Sequence, residues 1–457
     1  MKKKIACFVA MPHHTRFMRP VLDRLENQGH EVIYFTTLSD YPFERDPLKY
    51  GKRCELIQDY GSPELSEKVR SFQREFFAEW VKKIFAAPKM TQWGLNLQSN
   101  LITSGMEDYW LLAEFLDREK PDVVMILHER NRWGKQLGHL CWLRGIPFVE
   151  FQEGDYYEDR LSFSTHAEYG TAVLVWGEEA KARLVRHGCP KEKVYVVGNT
   201  HLATVDKKNF NLDDIRKEVG IASKKPVVVM LVEVYWGMLN VPEVWQKVFA
   251  GFPFDDFEVV ISWHPKIVFN SFSGHVAPMF KKYFPQVHLF HAFDTYKLTE
   301  LADYVVIFGR STTAVEVAWW GKPLFTFPEH DSTEDLYEQW GISHSLRVGD
   351  NWDPFKEVVL KGESKEHGDH VRTFLDRYFH CSNRVAVSRS VELVNCILET
   401  PKKELDKSPK EEYSWNMVPK NLPRFSSEED QLRFFVQCSG TSSKNEKYLE
   451  YLQGQGL

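Results

Sequence analysis

Asp303-Tyr304-Val305-Val306-Ile307-Phe308-Gly309-Arg310-Ser311-Thr312-Thr313-Ala314-Val315-Glu316-Val317-Ala318-Trp319-Trp320-Gly321-Lys322-Pro323-Leu324 carries a strand, a helix and the start of a second strand. The apolar run from Tyr304 stops at Gly309, hydroxyl side chains follow, and the next apolar run, Leu324–Phe327, begins after Gly321-Lys322-Pro323. Free N–H groups and hydroxyls at such a helix start can cradle a phosphate, and Glu316, one turn further in, could reach two ribose hydroxyls. The same residues have a purely structural reading, because Thr313-Ala314-Val315-Glu316 fits a capping box. Capping accounts for Thr313 and Glu316, but not for Arg310, Ser311 and Thr312 beside them.

The same rhythm of short apolar run, turn and helical stretch extends in both directions. Ile5–Met11, Glu31–Thr37, Asp122–Leu127, Phe148–Gln152, Ala172–Trp176 and Val194–Val197 read as buried parallel strands. A second series follows at Val227–Val234, Glu258–Trp263, His288–Phe290, Tyr304–Phe308 and Leu324–Phe327. Between them lie amphipathic segments such as Arg16–Asn27, with Phe17, Val21, Leu22 and Leu25 on one face and Gly29 as a stop. So many strands exceed one ordinary sheet, so the expectation is an α/β protein of two Rossmann-like, doubly wound domains facing a central cleft. The boundary falls best in the polar stretch Lys207–Lys225. The reading is therefore a first domain over 1–206, a second over 207–400, and a charged linker with a helical extension over 401–457. Leu48–Thr103 is rich in aromatics and longer than a crossover needs, which reads as a helical insertion that either caps the cleft or packs on the first domain.

Composition bounds the function. A chain of 457 residues with 43% apolar and 27% charged residues is a globular protein, and its net charge of -6 supplies no general field for nucleic acid. The seven cysteines are irregularly spaced and none forms a C-x-x-C pair, which points to free thiols in a reducing compartment. Lys2-Lys3-Lys4 precedes an apolar stretch too short for a signal peptide, and no run approaches the roughly 20 apolar residues of a membrane span. The expected location is cytoplasmic, with any membrane contact peripheral, at the inner membrane face.

Ligands of open parallel sheets bind beyond the carboxyl ends of the strands, so the residues after each run are the candidates. After the first come Pro12-His13-His14-Thr15-Arg16, where His13, Arg16 and backbone N–H groups would suit an anion. Glu150-Phe151-Gln152-Glu153-Gly154-Asp155 places Glu153 and Asp155 at a strand mouth, suited to general-base work or to binding sugar hydroxyls; a solvated acidic loop is the alternative. His128-Glu129-Arg130 is a further candidate set or an internal ion-pair cluster. Ser262-Trp263-His264-Pro265-Lys266 offers His264 and Lys266 as donors to a diphosphate. The chain has no G-x-G-x-x-G after its first strand, and no Walker A, G-x-S-x-G or H-E-x-x-H motif. No Asp-x-Asp ends an apolar strand, so a diphosphate here would be neutralised by protein donors, with no metal and no cofactor expected.

The segment from Asp303 through Glu316 to Gly321-Lys322-Pro323 resembles the donor site of GT-B-fold enzymes. Similar patterns occur in non-hydrolysing UDP-N-acetylglucosamine 2-epimerases, CDP-glycerol glycerophosphotransferases and bacterial capsule Kdo transferases. Val197-Gly198-Asn199-Thr200 and Gly145-Ile146-Pro147 to Glu153-Gly154 resemble epimerase segments, the Glu-x-Gly element also resembles the Kdo transferases, and His264-Pro265 is similar to the glycerophosphotransferases. Where an epimerase carries His-Arg-Glu-Asn, this chain has Val232-Glu233-Val234-Tyr235-Trp236. The resemblance implies a metal-independent glycosyltransferase that moves a sugar from a nucleotide-sugar donor to a cell-surface polysaccharide or glycolipid, with the donor held mainly by the second domain. Under it, Arg16, Glu233, His264, Lys266, Arg310, Ser311, Thr312, Thr313 and Glu316 bind donor. Glu153 is the catalytic carboxylate, with Asp155, His13 and Glu233 in reserve. The other readings are a nucleotide-sugar 2-epimerase or hydrolase, a CDP-glycerol-type phosphotransferase, and a non-catalytic binding protein on the same fold.

Overall fold

The computed structural model describes residues 2–9, 12–37, 51–71, 92–127, 132–154, 169–186, 188–233, 241–264, 272–309, 311–328, 336–361, 367–378 and 385–400. They form two compact units that divide between Thr204 and Val205.

The first unit is built on seven parallel strands, β1 (Lys4–Phe8), β2 (Glu31–Thr36), β3 (Cys54–Leu56), β4 (Val123–Ile126), β5 (Phe148–Phe151), β6 (Ala172–Val175) and β7 (Val194–Val196), in the order β3-β2-β1-β4-β5-β6-β7. Helices α1 (Pro12–Asn27), α2 (Gln92–Glu119), α3 (Arg132–Arg144) and α4 (Glu178–Arg186) alternate with them. Both faces of a parallel sheet are covered, so its strands must be apolar throughout, and Val123, Val124, Met125 and Ile126 are all fully buried.

The second unit repeats the plan with β8 (Val227–Val232), β9 (Glu258–Trp263), β10 (Val287–His291), β11 (Tyr304–Phe308), β12 (Leu324–Phe327) and β13 (His344–Ser345), ordered β10-β9-β8-β11-β12-β13. Its helices are α5 (Leu212–Val219), α6 (Pro242–Val248), α7 (Ala277–Tyr283), α8 (Thr295–Leu301), α9 (Thr313–Trp320), α10 (Leu336–Gln339), α11 (Asp353–Lys361) and α12 (His367–Tyr378). Numbered from its own first strand, each sheet shares the doubly wound order 3-2-1-4-5-6, which the first extends with a seventh strand, and the switch point lies between strands one and four. Local signals agree with this frame. The Asn211 side chain accepts from the Asp213 and Asp214 N–H groups to start α5, and Gly220 closes it in the left-handed region. At Gly251 the backbone has φ +77°, and a Cβ would meet Asn351 at 2.9 Å, so only glycine fits.

The final described helix, α13 (Ala386–Glu399), belongs with the first unit. It docks on α1, where Arg24 donates to Ser388 Oγ at 2.6 Å and the Asn395 side chain donates to Gln28 at 3.0 Å. A boundary at 400, as read from the chain, leaves this helix with the second domain, whereas Arg24 and Gln28, which it bonds, stand some 360 residues earlier in the first unit. The 48–103 stretch, read as a helical insertion, contributes the edge strand β3, paired as Tyr34↔Cys54, and the start of α2. The extension at 401–457 lies outside the described residues. Among the described residues, no helix is long and apolar enough to cross a membrane.

The core of the second unit is strongly aromatic. Trp245 is fully buried, with ring centroids of Phe280 at 5.2 Å, Trp263 at 5.3 Å and Phe308 at 5.4 Å. It ties α6 to α7, β9 and β11. Trp245→Ala is expected to destabilise this unit by about 3–5 kcal/mol, as large-to-small changes at packed aromatic sites do. Urea unfolding followed by circular dichroism measures it, and a loss below about 1 kcal/mol would mean that the neighbouring rings refill the space.

Candidate functional site

The second unit brings several of the singled-out residues into one pocket. Glu233, Ser262, His264, Thr295, Ser311 and Thr313 line it. They arrive from the carboxyl ends of β8, β9 and β11 and from the starts of α8 and α9, which is the switch point of this sheet. Register makes this possible: Val232 stands level with Trp263 on one side and with Phe308 on the other. The ladder runs on past the strands, since Glu233 N–H donates to Phe308 C=O at 3.2 Å and His264 N–H to Val232 C=O at 3.0 Å. Gly309, at φ +92°, then turns the chain out of β11.

The capping-box reading of the next residues does not hold. Thr313 is the first helical residue of α9 rather than its cap, and Thr312 at the cap makes no side-chain cap bond. Ser311 Oγ instead accepts from Thr313 N–H at 3.3 Å, while Tyr337 Oη donates to the Ser311 carbonyl at 2.8 Å. Glu316 is 6% exposed, and Tyr296 Oη donates to its Oε1 at 3.0 Å. A buried carboxylate held by a residue outside its own helix is more than a cap, and a helix start with hydroxyls beside it suits an anion. Lys266 and Arg310 lie outside the described residues.

In the first unit, His13 and Arg16 are not on a loop. The helix α1 already begins at Pro12, which places His13 in its first turn and Arg16 in its second. Arg16 is exposed, its guanidinium 5.2 Å from the Phe17 ring centroid. Glu150 sits within β5 and is fully buried, so it is not part of the acidic loop. Glu153 is half-buried just beyond that strand. The intervening Gln152 fixes the turn: its Oε1 accepts from Trp176 N–H at 2.8 Å and its Nε2 donates to the Gly154 carbonyl at 2.9 Å. Asp155 and His128-Glu129-Arg130 lie outside the described residues.

Gly198-Asn199-Thr200 is a docking segment. Asn199 Oδ1 accepts from the N–H groups of His201 and Leu202 at 3.0 and 2.9 Å, and Thr200 Oγ1 donates to the Phe17 carbonyl at 2.6 Å. His201, which the sequence reading passed over, lies edge-on to Phe17 with centroids 5.6 Å apart. Tyr296 was missed as well, and its only sequence signal is a place two residues after the helix-capping Asp294.

Burial, reinforced by Arg16 and Arg19, lowers the pKa of His201 from 6.5 to about 3. The folded site therefore refuses a proton that the unfolded chain accepts below 6.5, so stability is complete above that value and falls as pH drops toward 3. Between pH 7 and 5 the loss from this group is expected to be about 1–2 kcal/mol. Denaturant titrations at the two pH values should show His201→Gln losing less than the parent by that margin; equal losses would remove His201 as the cause.

No protein-family model matches the chain, and no curated protein does. Solved structures do. An assigned UDP-N-acetylglucosamine 2-epimerase from Listeria monocytogenes superposes with a TM-score of 0.60 at 14% identity, over 88% of this chain and 98% of its own. The S. aureus MnaA–UDP co-structure gives 0.55 at 16% identity, over 88% and 99%. A glycosyltransferase from Rickettsia africae gives 0.53 at 14% identity, over 88% and 100%. At such identities the likeness speaks for the fold, and with two sheets in one chain that share the 3-2-1-4-5-6 order, the first carrying a seventh strand, this protein has the two-Rossmann-domain GT-B fold found among nucleotide-sugar enzymes.

Proposed function

We propose that the chain is a glycosyltransferase that takes a sugar from a nucleotide-sugar donor, without metal help, and passes it to a cell-surface polysaccharide or glycolipid. The observation that carries this reading is the gathering of His264, Ser311 and Thr313 with Glu233 in one pocket at the switch point of the second sheet. The UDP in the S. aureus co-structure supports a nucleotide as ligand. In this reading the α9 N–H groups and the hydroxyls of Ser311, Thr312 and Thr313 receive the diphosphate, with His264, Lys266 and Arg310 supplying further donors. Glu316 accepts from the ribose hydroxyls, and Glu233 and Arg16 complete the donor contacts. An acceptor hydroxyl attacks the anomeric carbon and the bond to the diphosphate oxygen breaks. The nucleoside diphosphate departs with the electron pair, and the hydroxyl proton passes to a carboxylate. Glu153 is our choice for that carboxylate, ahead of Asp155 and His13, and the expected location is the cytoplasm, at the inner membrane face where acceptor is reached.

The epimerases among the similar structures favour a second reading, a nucleotide-sugar 2-epimerase or hydrolase. Against it, Val232-Glu233-Val234 stands where the epimerase His-Arg-Glu-Asn is expected. Incubating the donor alone separates the two, because isomer or free sugar formed without acceptor overturns the transferase.

Isothermal titration with UDP, CDP, CMP and GDP is expected to show binding of at least one; binding of none would reject a donor site. Glu316→Ala should weaken that nucleotide by about 10-fold or more, the size of hydrogen bonds to a charged group. A drop in melting temperature with affinity intact would assign Glu316 to structure alone. Glu153→Gln should cut turnover by about 100-fold while donor affinity is kept, and normal turnover would remove it from the role.

A further inference from the structure

Glu316 is held by a closed arrangement of two helices. On α9, Glu316 and Trp320 are four residues apart, and on α8 so are Tyr296 and Glu300, which puts each pair on one helix face. The pairs interlock. Tyr296 Oη donates to Glu316 Oε1 at 3.0 Å, the Tyr296 ring stacks on Trp320 at 5.3 Å and 16°, and Trp320 Nε1 donates to Glu300 Oε2 at 2.5 Å. The backbone under Tyr296 is fixed too, since Asp294 Oδ1 accepts from the N–H groups of Tyr296 and Lys297 at 2.9 and 3.1 Å. Phe210 backs Trp320 from another side, with ring centroids 5.6 Å apart.

Packing alone would be served by phenylalanine at 296, which stacks on indole equally well. What the hydroxyl adds is a direction for the carboxylate. A carboxylate has about four lone-pair sites, and the Tyr296 bond takes one of them at Oε1 while it restrains rotation about the last side-chain torsion. Pre-orienting an acceptor before ligand arrives removes an ordering cost from binding.

We propose that Tyr296 is a positioning residue that aims Glu316 at the ribose of the bound nucleotide and so makes the site selective for ribonucleotides over their 2′-deoxy counterparts. This inference rests on the donor-site reading of the α9 segment and extends it to a residue from α8. The test measures UDP, CDP and GDP, each beside its 2′-deoxy form, by isothermal titration with the full chain and with Tyr296→Phe and Glu316→Ala. The full chain is expected to favour the ribonucleotide of the bound pair by about 10-fold or more. Glu316→Ala should bring that ratio near unity. Tyr296→Phe should reduce it by about 3- to 10-fold, the worth of one net hydrogen bond, and leave 2′-deoxynucleotide affinity within about twofold.

A purely structural Tyr296 behaves differently, because loosening α8 against α9 weakens both members of a pair alike. Equal weakening in Tyr296→Phe, or an unchanged ratio there while Glu316→Ala abolishes it, overturns the inference and leaves the donor reading in place. A full chain that binds none of the pairs, or binds both members equally, overturns the ribose role of Glu316 and the inference with it. Tyr296→Phe keeps the ring on Trp320, and its circular dichroism and melting temperature verify that the variant compared is folded.

Discussion

Parallel strands cannot be joined without crossing over, and the crossover is right-handed, so in a sheet wound both ways from its first strand the helices of the two halves lie on opposite faces. Beyond the carboxyl ends of β8 and β11 that constraint leaves a crevice where the winding reverses. The pocket described in the second unit lies at that crevice. The winding brings the ends of β8, β9 and β11 level, with Val232 beside both Trp263 and Phe308, and opens the starts of α8 and α9 onto the same space. The aromatic packing around Trp245 holds those strand ends in register from below. The residues beyond them are therefore free to be polar without cost to the core.

How much of this was written in the chain can be judged strand by strand. The long apolar runs announce themselves, because a parallel strand covered on both faces admits almost nothing polar: Val227-Val228-Val229-Met230-Leu231-Val232 needs no context. The edge strands β3 and β13, with three and two residues, carry no period to detect and are made by their neighbours. The placement of α13 is invisible for a related reason, since its partners Arg24 and Gln28 are contacts of the fold, not of the sequence. Pocket residues such as His264 and Ser311 were legible through the rule that loops after parallel strands carry ligands. Thr313 and Glu316 were legible only as an ambiguity. Their spacing is that of a capping box, and the side chain that resolves it, Tyr296, lies twenty residues upstream on another helix.

Burial sets what Glu316 can be. Removing a carboxylate from water is costly unless hydrogen bonds replace the lost solvent, and a surface helix gains nothing from placing one there. Tyr296 meets part of that cost. The arrangement pays in stability for an acceptor of fixed direction, the pattern expected of a binding group rather than of a cap.

The two sheets share one winding order but not one chemistry, and the difference lies in how their helices begin. The helix after β1 opens on Pro12, which has no N–H to offer an anion, and its first turn carries no acidic residue. Its second turn is occupied instead, with Thr200 bonded to the Phe17 carbonyl and His201 against the Phe17 ring. The helix after β11 opens on Ser311, Thr312 and Thr313, with N–H groups and hydroxyls at its start and Glu316 a turn deeper. A diphosphate needs donors and a ribose needs an acceptor, in that order along one ligand. Of these two helix starts the second offers both in that order, and the proposed donor role of the second unit rests on that difference.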